Sequence, residues 1–121
     1  MRHPDGAVRR RAAQANRPVV TSIIVAAEIR FGLERRPSAR LAHQVATVLG
    51  NLPTLPFAPD ADYDYARIRA TLERRGLPIS NNDLLIAAHA LSLDATLVTD
   101  NVREFARVDG LAVENWLRDS A

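Results

Sequence analysis

SNNDLLIAAHAL, residues 80–91, is an apolar run that carries one acid, Asp83, near its head. Asn81 or Asn82 can cap a helix that begins here, and an acid in the first turn suits the positive end of the helix dipole. The residues after Asp83 are apolar on nearly every side, so this helix belongs inside a fold. ATLVT at 95–99 follows almost at once and has the composition of a short strand. A buried helix feeding a short apolar strand is the repeating unit of a parallel sheet covered on both faces.

The same alternation extends outward along the chain. Residues 5–16 have a helical pattern, and VVT at 19–21 is a short strand beyond Pro18. Thr21 or Ser22 can cap a helix over roughly 22–35, which stops around the RRPS stretch. A further helix fits 38–50, ended by Gly50, and TLPF at 54–57 is a second strand. An amphipathic helix over 60–75 closes at Gly76, ahead of the buried helix 82–93. Downstream of ATLVT come a short helix at 101–107 and a last strand in LAVENW, 111–116. The alternation predicts a three-layer α/β/α sandwich with a short parallel sheet, and 121 residues make one domain of it.

Composition narrows the chemistry. There is no cysteine, which removes disulfides, thiol catalysis and cysteine-zinc sites together. No apolar run approaches the roughly 20 residues that span a bilayer. The opening MRHPDGAVRRRAAQ lacks the apolar core of a signal peptide, so the cytoplasm is the expected compartment and no membrane partner is expected. Net charge is +2, and every basic residue apart from the histidines is arginine. The clusters at 9–11, Arg35–Arg36 and Arg74–Arg75 read first as solvated helix faces, with phosphate contact as the alternative. No helix-turn-helix signature accompanies this modest basic balance, which argues against a DNA-binding regulator. His89 stands about 240° round the helix from Asp83 and reads as a packed core residue. His3 and His43 lie in polar surroundings.

Three acids occupy odd places. Glu28, in SIIVAAEIRFG, has Ile24, Val25, Phe31 and Gly32 as its helical neighbours and interrupts the apolar stripe Ile24, Ala27, Phe31. A buried carboxylate is costly unless something cationic meets it. Asp83 is followed on its own helix by Ile86 and Ala87. Asp100 immediately follows ATLVT, and in an open parallel sheet the carboxyl ends of strands are where ligands bind. Taken singly, Asp83 and Asp100 also fit cap and turn roles. One arrangement accounts for all three: convergence around a divalent cation, which oxygen ligands alone would make Mg²⁺ or Mn²⁺. Such a site suits phosphoryl chemistry, since the cation activates water and neutralises charge developing on phosphate.

VVTSIIVAAEIRFGLER at 19–35, the LPF at 55–57 and the long stretch from Tyr65 to Trp116 resemble PIN-domain toxins of VapC type, including the FitB-like branch. The resemblance runs from about residue 5 to 118. Its motifs are an acid in AAEIRFG, an acid in NDLLIAAHA, and LVTDN before REF. It implies a Mg²⁺-dependent endoribonuclease, with Mn²⁺ as a possible substitute, that hydrolyses RNA phosphodiester bonds with metal-activated water. It also implies restraint by a cognate antitoxin, without direct DNA binding in the antitoxin's absence. Glu28, Asp83 and Asp100 match the family's acidic metal and catalytic residues. Thr99 and Asn101 match its polar flank, and Ser22 matches the residue that opens the Glu-bearing helix.

The family pattern opens with a short apolar strand ending in Asp-Thr-Asn, whose Asp is the first metal ligand. Asp5 sits in a PDG turn context with no strand leading into it. The expectation is therefore a single PIN-like domain over 1–121 that lacks its first central strand. A reading frame starting roughly a dozen residues upstream would supply it. The alternative function is a catalytically impaired paralogue that acts only by binding an antitoxin or another PIN chain. Leu33, Leu41, Val45 and Val48 exceed what one sheet face covers, which points to a homodimer or an antitoxin-binding surface.

Overall fold

The computed structural model describes residues 20–115. The helix expected over 5–16, the arginines at 9–11, His3, Asp5 and the end of LAVENW lie outside the described residues. The chain divides into two compact units, represented among the described residues by 20–57 and 58–115.

In the first unit, strand β1 (Thr21–Ser22) leads straight into helix α1 (Ile23–Arg35), then helix α2 (Ala39–Asn51) and strand β2 (Thr54–Leu55). β1 and β2 pair in parallel, Thr21 opposite Thr54 and Ser22 opposite Leu55. The Thr21 amide donates to the Pro53 carbonyl at 2.9 Å. Ser22 is the N-cap of α1, its Oγ accepting from the Ile24 amide at 3.0 Å. Pro37 disfavours helical geometry at Arg36, which takes φ −135° and ends α1. Ser38 caps α2 in the same way, accepting from the Leu41 amide at 3.2 Å. Gly50 does not end this helix, as its sequence position suggested. α2 runs through it to Asn51, whose amide group donates to the Thr47 carbonyl at 2.7 Å.

The second unit contains helix α3 (Ala61–Arg74), helix α4 (Asn81–Ser92), strand β3 (Leu97–Val98), helix α5 (Val102–Phe105) and strand β4 (Val113–Glu114). β3 and β4 are also parallel, Leu97 opposite Val113 and Val98 opposite Glu114. The described residues pair these strands in parallel, two and two, and the short parallel sheet of the expected α/β fold is borne out. The core is built where α3 meets α4. Ala61, Ile68 and Leu72 recur at helical spacing on α3 and are buried. On α4 every residue from Ile86 to Ala90 is buried, as the all-round apolar pattern required. The alanines among them leave no side-chain bulk to hold the helices apart.

Both long helices of this unit end in the same motif. After α3, Gly76 takes φ +69°, its amide donates to the Glu73 carbonyl, and the Leu77 amide donates to Leu72. After α4, Asp94 takes φ +51°, with its amide on Leu91 and the Ala95 amide on Ala90. These are Schellman closures, one on glycine and one on an aspartate.

Candidate active site

Ser80 is the N-cap of α4, so neither Asn81 nor Asn82 caps it. Its Oγ accepts from the Asp83 amide at 3.3 Å. In a reciprocal capping box the acid three residues on would accept the backbone N–H of the cap residue. Here that acceptor comes from another element: the Ser80 amide donates to Glu104 Oε1 at 3.2 Å. Glu104 therefore does the capping work that Asp83 would otherwise do.

Glu104 lies on α5 and gathers further partners. Asn101 Nδ2 donates to its Oε2 at 2.7 Å. That amide contributes most to holding the Glu104 carboxyl below its ordinary value of 4.5, and partial burial opposes it. The Ser80 N–H, a side-chain hydrogen bond with Asp83 and the charge of Arg107 add to the lowering. The Asp83–Glu104 contact is the chemically informative one. Two carboxyl groups that meet repel one another when both are ionised, and a cation beside them relieves that repulsion.

Asp100 stands just past β3. Thr99 Oγ1 accepts from the Asn101 amide at 3.0 Å, a hydroxyl turn that bends the chain at Asp100. The amide of Asn115, just past β4, donates to Asp100 Oδ1 at 3.0 Å. Thr99, Asn101, Glu104, Ser80 and Asp83 thus form one continuous polar network, and Asp100 is held beside it in sequence by its own partner. His89 is buried in the core with about 1% of its surface exposed.

Glu28 differs from its expected setting. The buried stripe of α1 runs through Ala26, with Leu33 half-buried two turns on, whereas Ala27 and Phe31 are exposed. Ala26 and Ala27 point about 100° apart on a helix, so the inward face is rotated one residue from the stripe inferred from the sequence. Glu28 is accordingly exposed and carries no burial cost.

Glu104 and Asn115 were missed in the sequence. Asn101-x-x-Glu104 has the spacing of a capping box, a signal for Glu104 at a helix start. In the structure Asn101 makes no side-chain cap bond and turns its amide to Glu104. Asn115 has no local signal, because its partner lies fifteen residues away and meets it through strand pairing.

Among the described residues no three His, Cys, Asp or Glu side chains gather as a group able to hold a metal ion unaided. The donor set still fits a hard cation: Mg²⁺ commonly takes one or two carboxylates and fills its remaining positions with water and substrate phosphate. The oxygens of Asp83 and Glu104 are of that kind.

Comparison with known proteins places the chain. A PIN domain family model matches residues 2–111. Ribonuclease VapC2 of Rickettsia felis is 37% identical over 117 residues, covering 95% of this chain and 87% of the relative. The tRNA(fMet)-specific endonuclease VapC of Salmonella typhimurium is 36% identical over 97 residues, covering 78% and 73%. The solved structure of VapBC-1 from nontypeable Haemophilus influenzae superposes with a TM-score of 0.84 at 32% identity, covering 93% of this chain and 87% of that one. The chain belongs to the PIN-domain family.

Proposed function

We propose that this chain is a divalent-metal-dependent endoribonuclease, the toxin of a toxin–antitoxin pair. The carrying observation is the polar network that joins Ser80, Asp83, Asn101 and Glu104 at the head of α4, in which Ser80 and Asn101 hold the Glu104 carboxylate. Asp83 and Glu104 would hold Mg²⁺ or Mn²⁺, with water and substrate phosphate at its remaining positions; Asp100 and Glu28 join this proposal on their sequence motifs alone. The bound cation would supply an activated water and neutralise charge developing on the phosphodiester. Ser80 and Asn101 fix the Glu104 carboxylate in one orientation, so it does not have to be ordered when the substrate arrives. Relatives named as ribonuclease and as tRNA-specific endonuclease support RNA as the substrate class.

An antitoxin is the proposed protein partner, supported by the VapBC-1 neighbour. Phe31 is 63% exposed on α1 and Val48 49% exposed on α2, with Ile23, Ile29 and Leu41 also exposed. These residues offer apolar surface to an antitoxin segment or to a second copy. Val45, expected to belong to that surface, is buried.

Mg²⁺ titration of thermal unfolding tests the metal reading without RNA. A ligand at about ten times its Kd stabilises by about 1.4 kcal/mol, a rise of several degrees in Tm. A Tm that stays flat across millimolar Mg²⁺ contradicts the proposal.

A further inference from the structure

We propose that the cleft between the end of α3 and the start of α4 binds one base of the RNA substrate, on a nucleotide neighbouring the phosphate that is cut. The proposal rests on the reading of the chain as a ribonuclease. The cleft has a volume of about 190 Å³, and Arg69, Leu72, Ile79, Asn81 and Leu84 are among its lining residues. That is below the roughly 300–1,000 Å³ of sites for drug-sized ligands and suits a single planar ring. Leu72, Ile79 and Leu84 are buried and give it an apolar floor. Asn81 and Leu84 lie three apart on α4 and share the face turned to the cleft. Asp83 lies about 100° round the helix from Leu84, so the cleft and the acidic network flank the same first turn.

The rim supplies what a base needs beyond an apolar floor. Arg69 Nε donates to Glu73 Oε1 at 3.1 Å and its NH1 to the Tyr65 hydroxyl at 3.0 Å. Both bonds lie in the guanidinium plane, so they fix the group and leave its flat faces unused. A held guanidinium face is a stacking platform for an unpaired RNA base. Ser80 caps α4, so the exposed Asn81 amide is not taken up by the helix start. It presents a donor beside an acceptor, the pattern that meets the edge of a base.

The test is cleavage of a synthetic hairpin RNA with a single-stranded loop, in which each loop nucleotide in turn is made abasic. The parent, Arg69→Ala and Asn81→Ala are compared by kcat/KM, each variant having a Tm within a few degrees of the parent's. Removing one base next to the cut should slow the parent at least about fivefold, the scale of one stacked base. Arg69→Ala should lose a similar factor on the intact RNA, and Asn81→Ala a smaller one. On the RNA lacking that base, all three should cleave alike, the non-additivity of groups that act through one contact. A parent indifferent to the loss of every loop base overturns the proposal, and so do losses that multiply instead of converging. Both outcomes leave the ribonuclease reading standing. A parent that cleaves none of these RNAs removes that reading and this inference with it.

Discussion

The two units of the chain use similar local devices and reach different results. Each has a two-stranded parallel sheet and at least one serine-capped helix. Among the described residues 20–57, only Ala26 and Val45 are buried. Among 58–115 a contiguous set runs from Ala61 through Leu72 and the centre of α4 to Phe105 and Val108. Capping and strand pairing define where helices and strands start; burial determines how firmly they are held. The polar network around Asp83 and Glu104 sits in the unit with the core. Glu28 stands on an exposed face of the other.

The largest expected effect falls on that core. Leu72→Ala should destabilise the chain by about 2–5 kcal/mol in denaturant unfolding, as truncation of a fully buried leucine does. A loss under about 1 kcal/mol would break the comparison. Ser80→Ala removes the cap of α4 and should cost about 1 kcal/mol. Asp94→Gly should raise stability by on the order of 0.5–1 kcal/mol, because the Schellman closure of α4 then uses the residue that closes α3. A decrease in its Tm would show that Asp94 makes side-chain contacts worth more than the backbone strain.

The Glu104 carboxyl is lowered in the folded chain, so its contribution to stability is present above the unfolded value near 4.5 and is lost as pH falls through the folded one. Glu104→Gln should flatten the acid side of the stability profile below about pH 4.5; an unchanged profile contradicts the network. The smallest effect belongs to the thin unit. Phe31→Ser should change the stability of the isolated chain by no more than about 0.5 kcal/mol while weakening antitoxin binding. A cost like that of Leu72→Ala would mean that Phe31 is packed.

Much of this molecule is written locally. The all-round apolar pattern after Asp83 marked α4 as interior, and Gly76 marked the end of α3. Pattern reading failed where a residue's role depends on what lies across from it. The stripe on α1 was placed one residue out, because β1 runs directly into the helix and the inward face is set by packing around Ala26. Gly50 looked like a helix stop, yet Asn51 and Thr47 carry the helix past it. Asp83 and Asp100 were legible as acids in odd positions. Their partners Glu104 and Asn115 come from other elements and needed the fold to bring them in. The question posed by Asp83 is answered across elements: Glu104 takes the Ser80 amide, so Asp83 is not needed as the capping acid.

The most direct measurement compares Mg²⁺-dependent RNA cleavage by the parent, Asp83→Asn, Glu104→Gln and Asp60→Asn under single-turnover conditions. Asp60 is an exposed acid at the head of α3 that makes no side-chain cap bond, and it serves as the control. The expected result is a loss of at least about a hundredfold in Asp83→Asn and Glu104→Gln, the scale of removing one positioned acidic group, with Asp60→Asn cleaving like the parent. Asp83→Asn and Glu104→Gln variants that keep the parent's Tm and cleave RNA at the parent's rate would contradict the assignment of the active site to this carboxyl pair.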